Sequence, residues 1–121
     1  KYSFNPQIIY INYGFNPKNK NSNIDLVKKE YEELKSIKNP TIDDINQSCA
    51  TIRWLIAQES PFAKGNDSIG NILTRAIYCA YDIHQTPIKA GKSFDFEAFY
   101  RNLDEYIKIY PKLFRMKPYK I

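Results

Sequence analysis

The chain is poor in the residue types that usually carry chemistry, having one histidine, His84, and two cysteines, Cys49 and Cys79. A nucleophilic triad needs a base beside its nucleophile, and His84 stands at an expected helix C-terminus, where the dipole favours a solvated imidazolium. Neither cysteine belongs to a Cys-x-x-Cys pair, so no zinc site is expected. Both fall inside expected helices and read as free thiols, with a bridge between neighbouring helices left open. The adjacent acids Asp43-Asp44 and Asp104-Glu105 have no histidine beside them and read as a helix cap and a solvated face, so no metal is expected there either. No apolar run approaches the ~20 residues of a membrane span, and no signal peptide is visible. Long Lys/Arg runs are also missing. The net charge of +5 is spread along the whole chain, which makes nucleic acid the weaker of the partners that charge admits. No expected helix has the one-sided basic face of a membrane-surface helix.

What is present is enough for one core. At 121 residues, 43% hydrophobic and 26% charged, the chain fits a single folded domain and is too short for two. Ten Tyr and seven Phe supply much of the apolar volume. The chain begins at Lys1 rather than Met, which points to a fragment of a longer protein or a processed chain.

Residues 1–23 read as an extended N-terminal arm and polar loop, with a short strand over 7–13 around Ile8-Ile9-Tyr10-Ile11 and a turn-rich stretch over 15–23. Residues 24–121 form a single helical domain. Asn23 is placed to cap a first helix whose Ile24, Val27, Tyr31 and Leu34 share a face, and which stops before Asn39-Pro40. Thr41 and Asp44 form a capping box for a second helix, running to about Gln58, with Ile42, Ile45, Cys49, Ile52, Leu55 and Ile56 as its stripe and Trp54, Ala50 and Ala57 broadening it. A third helix carries Ile69, Ile72, Leu73, Ala76, Ile77 and Ala80 as its core face and ends near Ile83-His84. A fourth, capped by Ser93 or Asp95 and stopped by Pro111, turns Phe96, Phe99, Tyr100, Leu103, Ile107 and Tyr110 inward, with Glu97–Arg101 and Asp104–Lys108 as exposed pairs. The tail 112–121 holds Leu113, Phe114, Met116 and Tyr119, of which Phe114, Met116 and Tyr119 are the candidate partner surface. The expected fold is all-α, a four-helix orthogonal or bundle-like domain with an extended N-terminal arm.

Between the second and third helices lies an elbow, Ser60-Pro61-Phe62-Ala63-Lys64-Gly65-Asn66-Asp67-Ser68-Ile69-Gly70-Asn71. Pro61 ends the incoming helix, Gly65 and Asn66 tolerate positive φ, and Asp67 or Ser68 can cap the outgoing one. Over these dozen residues it resembles the Fic family loop, His-Pro-Phe-x-(Asp/Glu)-Gly-Asn-Gly-Arg-x-x-Arg. That resemblance implies a loop between two helices of an all-α core that binds nucleotide phosphates and transfers AMP to a hydroxyl. Pro61, Phe62, Gly65 and Asn66 match. Ser60 replaces the catalytic His, Lys64 the metal-holding acid, and Ser68 and Asn71 the arginines, while Asp67 stands where a glycine amide would cradle phosphate.

The candidate loop residues are therefore Ser60, Phe62, Lys64, Gly65, Asn66 and Asp67, with Phe62 expected to plug the core and Lys64 to face a partner. No catalytic set is complete and no cofactor is expected. The favoured reading is a non-enzymatic helical protein-interaction domain, part of a larger bacterial secreted effector or toxin, whose partner is another protein or the remainder of its own parent chain. The alternatives are a degenerate Fic-like nucleotide-binding or AMP-transfer domain and a small basic nuclease-type toxin using His84 with Lys64 or Arg75. The site of action is left open between the cytoplasm and a host cell.

Overall fold

A computed structural model of the chain describes residues 17–59 and 66–121, with side chains over 25–58 and 69–121. Among these residues are five α-helices, α1 (Pro17–Ser36), α2 (Ile42–Glu59), α3 (Asn66–Ala80), α4 (Phe94–Tyr100) and α5 (Leu103–Ile109), a 3₁₀ turn at Tyr110–Leu113, and two short strands, β1 (Ile83–His84) and β2 (Tyr119–Lys120). The all-α expectation holds, with five helices where four were expected. The expected N-terminal strand over 7–13 lies outside the described residues.

Helix α1 starts at Pro17, six residues before the expected cap at Asn23, so the supposed polar loop over 17–23 is helical. A proline at the first helical position has its φ preset and lacks only an N–H that would have had no helical partner. The buried side of α1 keeps Val27 and Leu34 of the expected face but is turned away from Tyr31 towards Glu30. Leu34 and Glu30 are buried and Tyr31 is exposed, because the Ser48 hydroxyl reaches Glu30 Oε1 at 3.4 Å and compensates the acid's burial. Asn39, at φ 57, turns the chain after α1 and before Pro40.

Thr41 and Asp44 form the expected box: the Asp44 N–H donates to Thr41 Oγ1 at 3.1 Å, and the Thr41 N–H to Asp44 Oδ2 at 3.0 Å. The helix they open is the one about which the domain is assembled, since α2 touches α1, α3, α4, α5 and the 3₁₀ turn. It is buried almost all round, including Asn46, Ser48, Thr51, Arg53 and Gln58. Each of these polar side chains is used. Gln58 Nε2 donates to the Ala98 carbonyl at 2.9 Å, and Thr51 Oγ1 to the Gln47 carbonyl at 2.8 Å. Trp54 Nε1 donates to the Arg101 carbonyl, also at 2.9 Å. The large majority of buried polar groups in folded proteins are paired in this way.

Helix α3 presents to α2 a face that shares only Ile77 with its expected apolar stripe. Gly70, Thr74, Ile77 and Tyr78 are buried, whereas Ile69, Ile72, Leu73, Ala76 and Ala80 are exposed. The smaller, more polar face goes inward because it has partners there: the Thr74 hydroxyl donates to the Gly70 carbonyl at 2.8 Å and the Tyr78 hydroxyl to Asn46 Oδ1 at 2.6 Å. The helix stops at Ala80, short of the expected Ile83-His84, and Asp82 at φ 58 turns the chain into β1.

The expected fourth helix is two. Ser93 caps α4, accepting from the Phe96 N–H at 3.4 Å. Arg101 is extended, and Asn102 caps α5 by accepting from the Glu105 N–H at 2.8 Å. The break rotates the inward face. Phe94, Ala98, Leu103, Tyr106 and Tyr110 are buried, while Phe96 and Tyr100 stand in solvent. The expected Glu97–Arg101 pair is present at 2.8 Å.

After the 3₁₀ turn the tail runs back along the segment that follows α3, as an antiparallel ribbon. Ile83 pairs with Lys120 and His84 with Tyr119, Ile88 bridges to Phe114, and the Arg115 N–H donates to the Pro87 carbonyl at 2.8 Å. The register shifts by one residue between these stretches, so Lys117-Pro118 opposes Gln85. Pro118, with no N–H to donate, sits in that bulge. The ribbon seats Phe114 against Phe94 and Tyr110, with ring centroids 5.2 and 5.3 Å away, and completes an aromatic half of the core beside α2.

Candidate functional site

Ser60, Phe62, Lys64 and Gly65 lie outside the described residues, and Asn66 and Asp67 are described only as the opening backbone of α3. The structure does describe the helix ends that the elbow joins. Arg53, one to two turns before the end of α2, is fully buried. Its Nη2 donates to Asn71 Oδ1 on α3, and its guanidinium carbon lies 4.1 Å from the centre of the Phe94 ring. A buried cation over an aromatic face is held by the ring's quadrupole as well as by its hydrogen bonds. Gly70 permits this approach. A Cβ there would stand 3.1 Å from Arg53 Nη1, so the helices come together over a position with no side chain.

Around Arg53 the titratable groups are shifted away from reactivity. Burial pushes the Cys49 thiol up to about 12, against smaller opposing effects of the Tyr78 hydroxyl and Arg53. Burial also pushes the Tyr78 and Tyr110 hydroxyls above their ordinary range. A thiol held protonated is no nucleophile at neutral pH. The cluster is therefore a polar core that locks α2, α3 and the 3₁₀ turn together. Among the described residues no group of three or more His, Cys, Asp or Glu could hold a metal ion, and no helix is long and apolar enough to cross a membrane.

His84, expected at a helix end, is an exposed strand residue whose ring lies 5.1 Å from that of Tyr119. Both cysteines are free, Cys49 buried and Cys79 exposed. The expected partner surface divides: Phe114 is in the core at 1% exposure, whereas Met116 and Tyr119 are on the surface. Phe114 is drawn inward by the ribbon, whose pairing no local sequence pattern announces.

Two surface features take its place. On α4, Phe96 at 62% exposure and Tyr100 at 73% lie one turn apart on the side opposite the buried Phe94 and Ala98. Sequence periodicity assigned them to the core of one long helix. The signal that could have released them is Asn102, a cap residue followed by Asp104 and Glu105 in the next first turn. The second feature is an apolar groove of about 280 Å³ where α1, α2 and α3 meet, lined by Val27, Tyr31, Ile52, Leu73, Ala76 and Ile77, with Lys28 at its side.

Comparison with curated proteins and with solved structures gives no match. A protein-family comparison does: the AvrB_AvrC model, described as avirulence protein, matches residues 19–117. This match runs from the first turn of α1, through the polar core around Arg53, to the bulge of the ribbon, and the chain belongs to the avirulence protein family, a family of secreted bacterial effectors.

Proposed function

We propose that this chain is a protein-interaction domain of its effector, that it binds a host protein through the aromatic side of α4, and that it performs no chemistry of its own. The observation that carries the reading is the pair Phe96 and Tyr100, exposed on a helix whose other side is anchored by Phe94 and Ala98. Aromatic side chains are enriched at interfaces and contribute large contact area at low conformational cost, and truncating one at the centre of an interface typically costs 2 kcal/mol or more. Anchoring matters as much as exposure. Ser93 caps α4, Trp54 and Gln58 of α2 bond the Arg101 and Ala98 carbonyls, and Glu97 is held by Arg101, so the pair is presented without a further ordering cost.

The test compares the full chain with a Phe96→Asp, Tyr100→Asp variant for formation of a stoichiometric complex with a host protein, measured by size exclusion with light scattering. A complex formed by the parent chain and lost in the equally stable variant is expected. Equal binding by both would refute the assignment of α4, and substrate turnover by the monomer would refute the non-enzymatic reading.

A second reading is favoured by one observation: α2 and α3 are packed helices bracketing the elbow, the arrangement that the Fic-like resemblance implies. In that reading the loop retains nucleotide binding without AMP transfer, since Ser60 cannot act as the base and Lys64 cannot hold magnesium. The nuclease-type alternative has no comparable observation behind it.

A further inference from the structure

Along the sequence the cations look evenly spread, but the fold gathers a third of them. The segment after α3 and the tail that runs back along it, residues 83–93 and 112–121, hold Lys89, Lys92, Lys112, Arg115, Lys117 and Lys120 and not one Asp or Glu. All six are exposed. Taking them from the eighteen Lys and Arg leaves twelve against thirteen Asp and Glu in the rest of the chain, so the ribbon holds the whole positive balance of +5. Pairing keeps these charges close. The Lys89 N–H donates to the Leu113 carbonyl and the Arg115 N–H to the Pro87 carbonyl, each at 2.8 Å, and Ile83 pairs with Lys120. From Lys112 to Lys120 is roughly 26 Å of extended chain at about 3.3 Å per residue, so each cation stands within about a Debye length, ~10 Å, of another.

Two of the six are engaged within the domain: Lys92 Nζ lies 3.7 Å from Glu97 Oε1, and Lys120 Nζ donates to the Tyr81 carbonyl at 3.0 Å. Lys89, Lys112, Arg115 and Lys117 meet no carboxylate among the described residues. The acids that flank the first arm, Asp82 and Asp95, stand at the turn into β1 and in the first turn of α4. We infer that the ribbon is a membrane-contact face that rests on the headgroups of an anionic bilayer. Interleaved with its cations are Met116, Tyr119 and Ile121, exposed at 59, 43 and 84%. That mixture suits a headgroup layer, where tyrosine and apolar side chains reach the acyl boundary while the charged ends stay among phosphates. The type of cation points the same way. Five of the six are Lys, a compact point charge suited to a diffuse anionic layer, whereas close contacts to RNA phosphates or protein carboxylates favour the bidentate fork of Arg. Binding here needs neither Phe96 nor Tyr100.

Sedimentation of the full chain with vesicles tests this face. Binding is expected to vesicles of phosphatidylcholine and phosphatidylserine, three parts to one, and not to phosphatidylcholine alone. Each cation near such a surface strengthens binding about fivefold, so Lys89→Glu, Lys112→Glu, Arg115→Glu, Lys117→Glu should cut it by more than about a hundredfold. Lys28→Glu, Lys29→Glu, Lys35→Glu, Lys38→Glu makes the same change of net charge at exposed positions on and after α1. It should lose less than about tenfold, because screening confines each charge to its neighbourhood. Should the ribbon variant lower the urea midpoint, Met116→Ser with Ile121→Ser, which leaves every charge in place, should still weaken binding to the mixed vesicles, and unchanged binding there would overturn the assignment. Equal binding to both kinds of vesicle, or equal losses from the two fourfold variants, would overturn it as well. So would displacement of the chain from the vesicles by an equal charge of poly(U) RNA or poly-glutamate, which would give the ribbon to a nucleic acid or an acidic protein.

Discussion

Replacing Tyr78 by Phe probes the lock between α2 and α3 with the loss of one oxygen atom. The Tyr78 hydroxyl donates to Asn46 Oδ1 at 2.6 Å, and both residues are buried. Phe keeps the ring and its edge-on contact with Phe114, at 6.4 Å between centroids, but leaves the Asn46 oxygen without its donor inside the core. An orphaned buried acceptor costs about 1–3 kcal/mol. At a middle value of about 2 kcal/mol the melting temperature falls by roughly 8 °C for a domain of this size. The assay is urea unfolding of the full chain, with Asn46→Leu and the double variant completing a cycle. Because the double variant removes donor and acceptor together, it is expected to recover part of the loss, with a coupling of about 1 kcal/mol or more. A Tyr78→Phe chain as stable as the parent, or strictly additive single costs, would refute the claim that this bond helps hold α3 to α2.

Gly70→Val should destabilise by about 2 kcal/mol in the same assay, because the added methyls meet an Arg53 guanidinium already held by Asn71 and Phe94, and overpacking at such a contact typically costs 1–3 kcal/mol. Alkaline titration should reveal Cys49. Its thiol moves from an ordinary 9.0 to about 12 in the folded chain, so between these values the unfolded chain gives up a proton that the folded chain keeps. The stability it contributes is whole below pH 9 and lost as pH rises towards 12, at up to about 1.4 kcal/mol per pH unit; Cys49→Ala should flatten the slope between pH 9 and 10, as read by urea midpoints. ATP with magnesium should leave the melting temperature unchanged. Saturation at a hundredfold over the dissociation constant would add roughly 2.7 kcal/mol, and a shift of that size lost in Gly65→Ala, Asn66→Ala would instead establish the Fic-like reading.

Local chemistry was the legible part of this sequence. The Thr41–Asp44 box, the Ser93 cap, the Glu97–Arg101 pair and the apolar run of α2 depend on residues within a turn or two of one another, and all four stand as read. What periodicity could not give is which side of a helix its neighbours want. On α3 the stronger apolar stripe was expected inside, but Thr74 and Tyr78 have buried partners and Gly70 makes room for Arg53, so the weaker stripe is buried. Over 94–110 one helix capped at Ser93 was expected, and a second cap at Asn102 divides it and leaves Phe96 and Tyr100 facing outward. The ribbon joining the segment after α3 to the tail pairs residues about thirty apart, and its register is carried by Thr86, whose hydroxyl meets both polar backbone groups of Met116. Of the candidate site, Ser60, Phe62, Lys64 and Gly65 fall outside the described residues, Met116 and Tyr119 are exposed, and Phe114 is buried by that ribbon.

Photo-cross-linking from position 100 tests the central claim most directly. With p-benzoylphenylalanine in place of Tyr100 in the full chain, irradiation in host-cell extract should give one predominant protein adduct. That adduct should disappear in a Phe96→Asp background and be absent when the photoreactive residue stands at Lys38, an exposed position after α1. Adducts of equal yield from positions 100 and 38, or none from position 100, would contradict a docking face on α4.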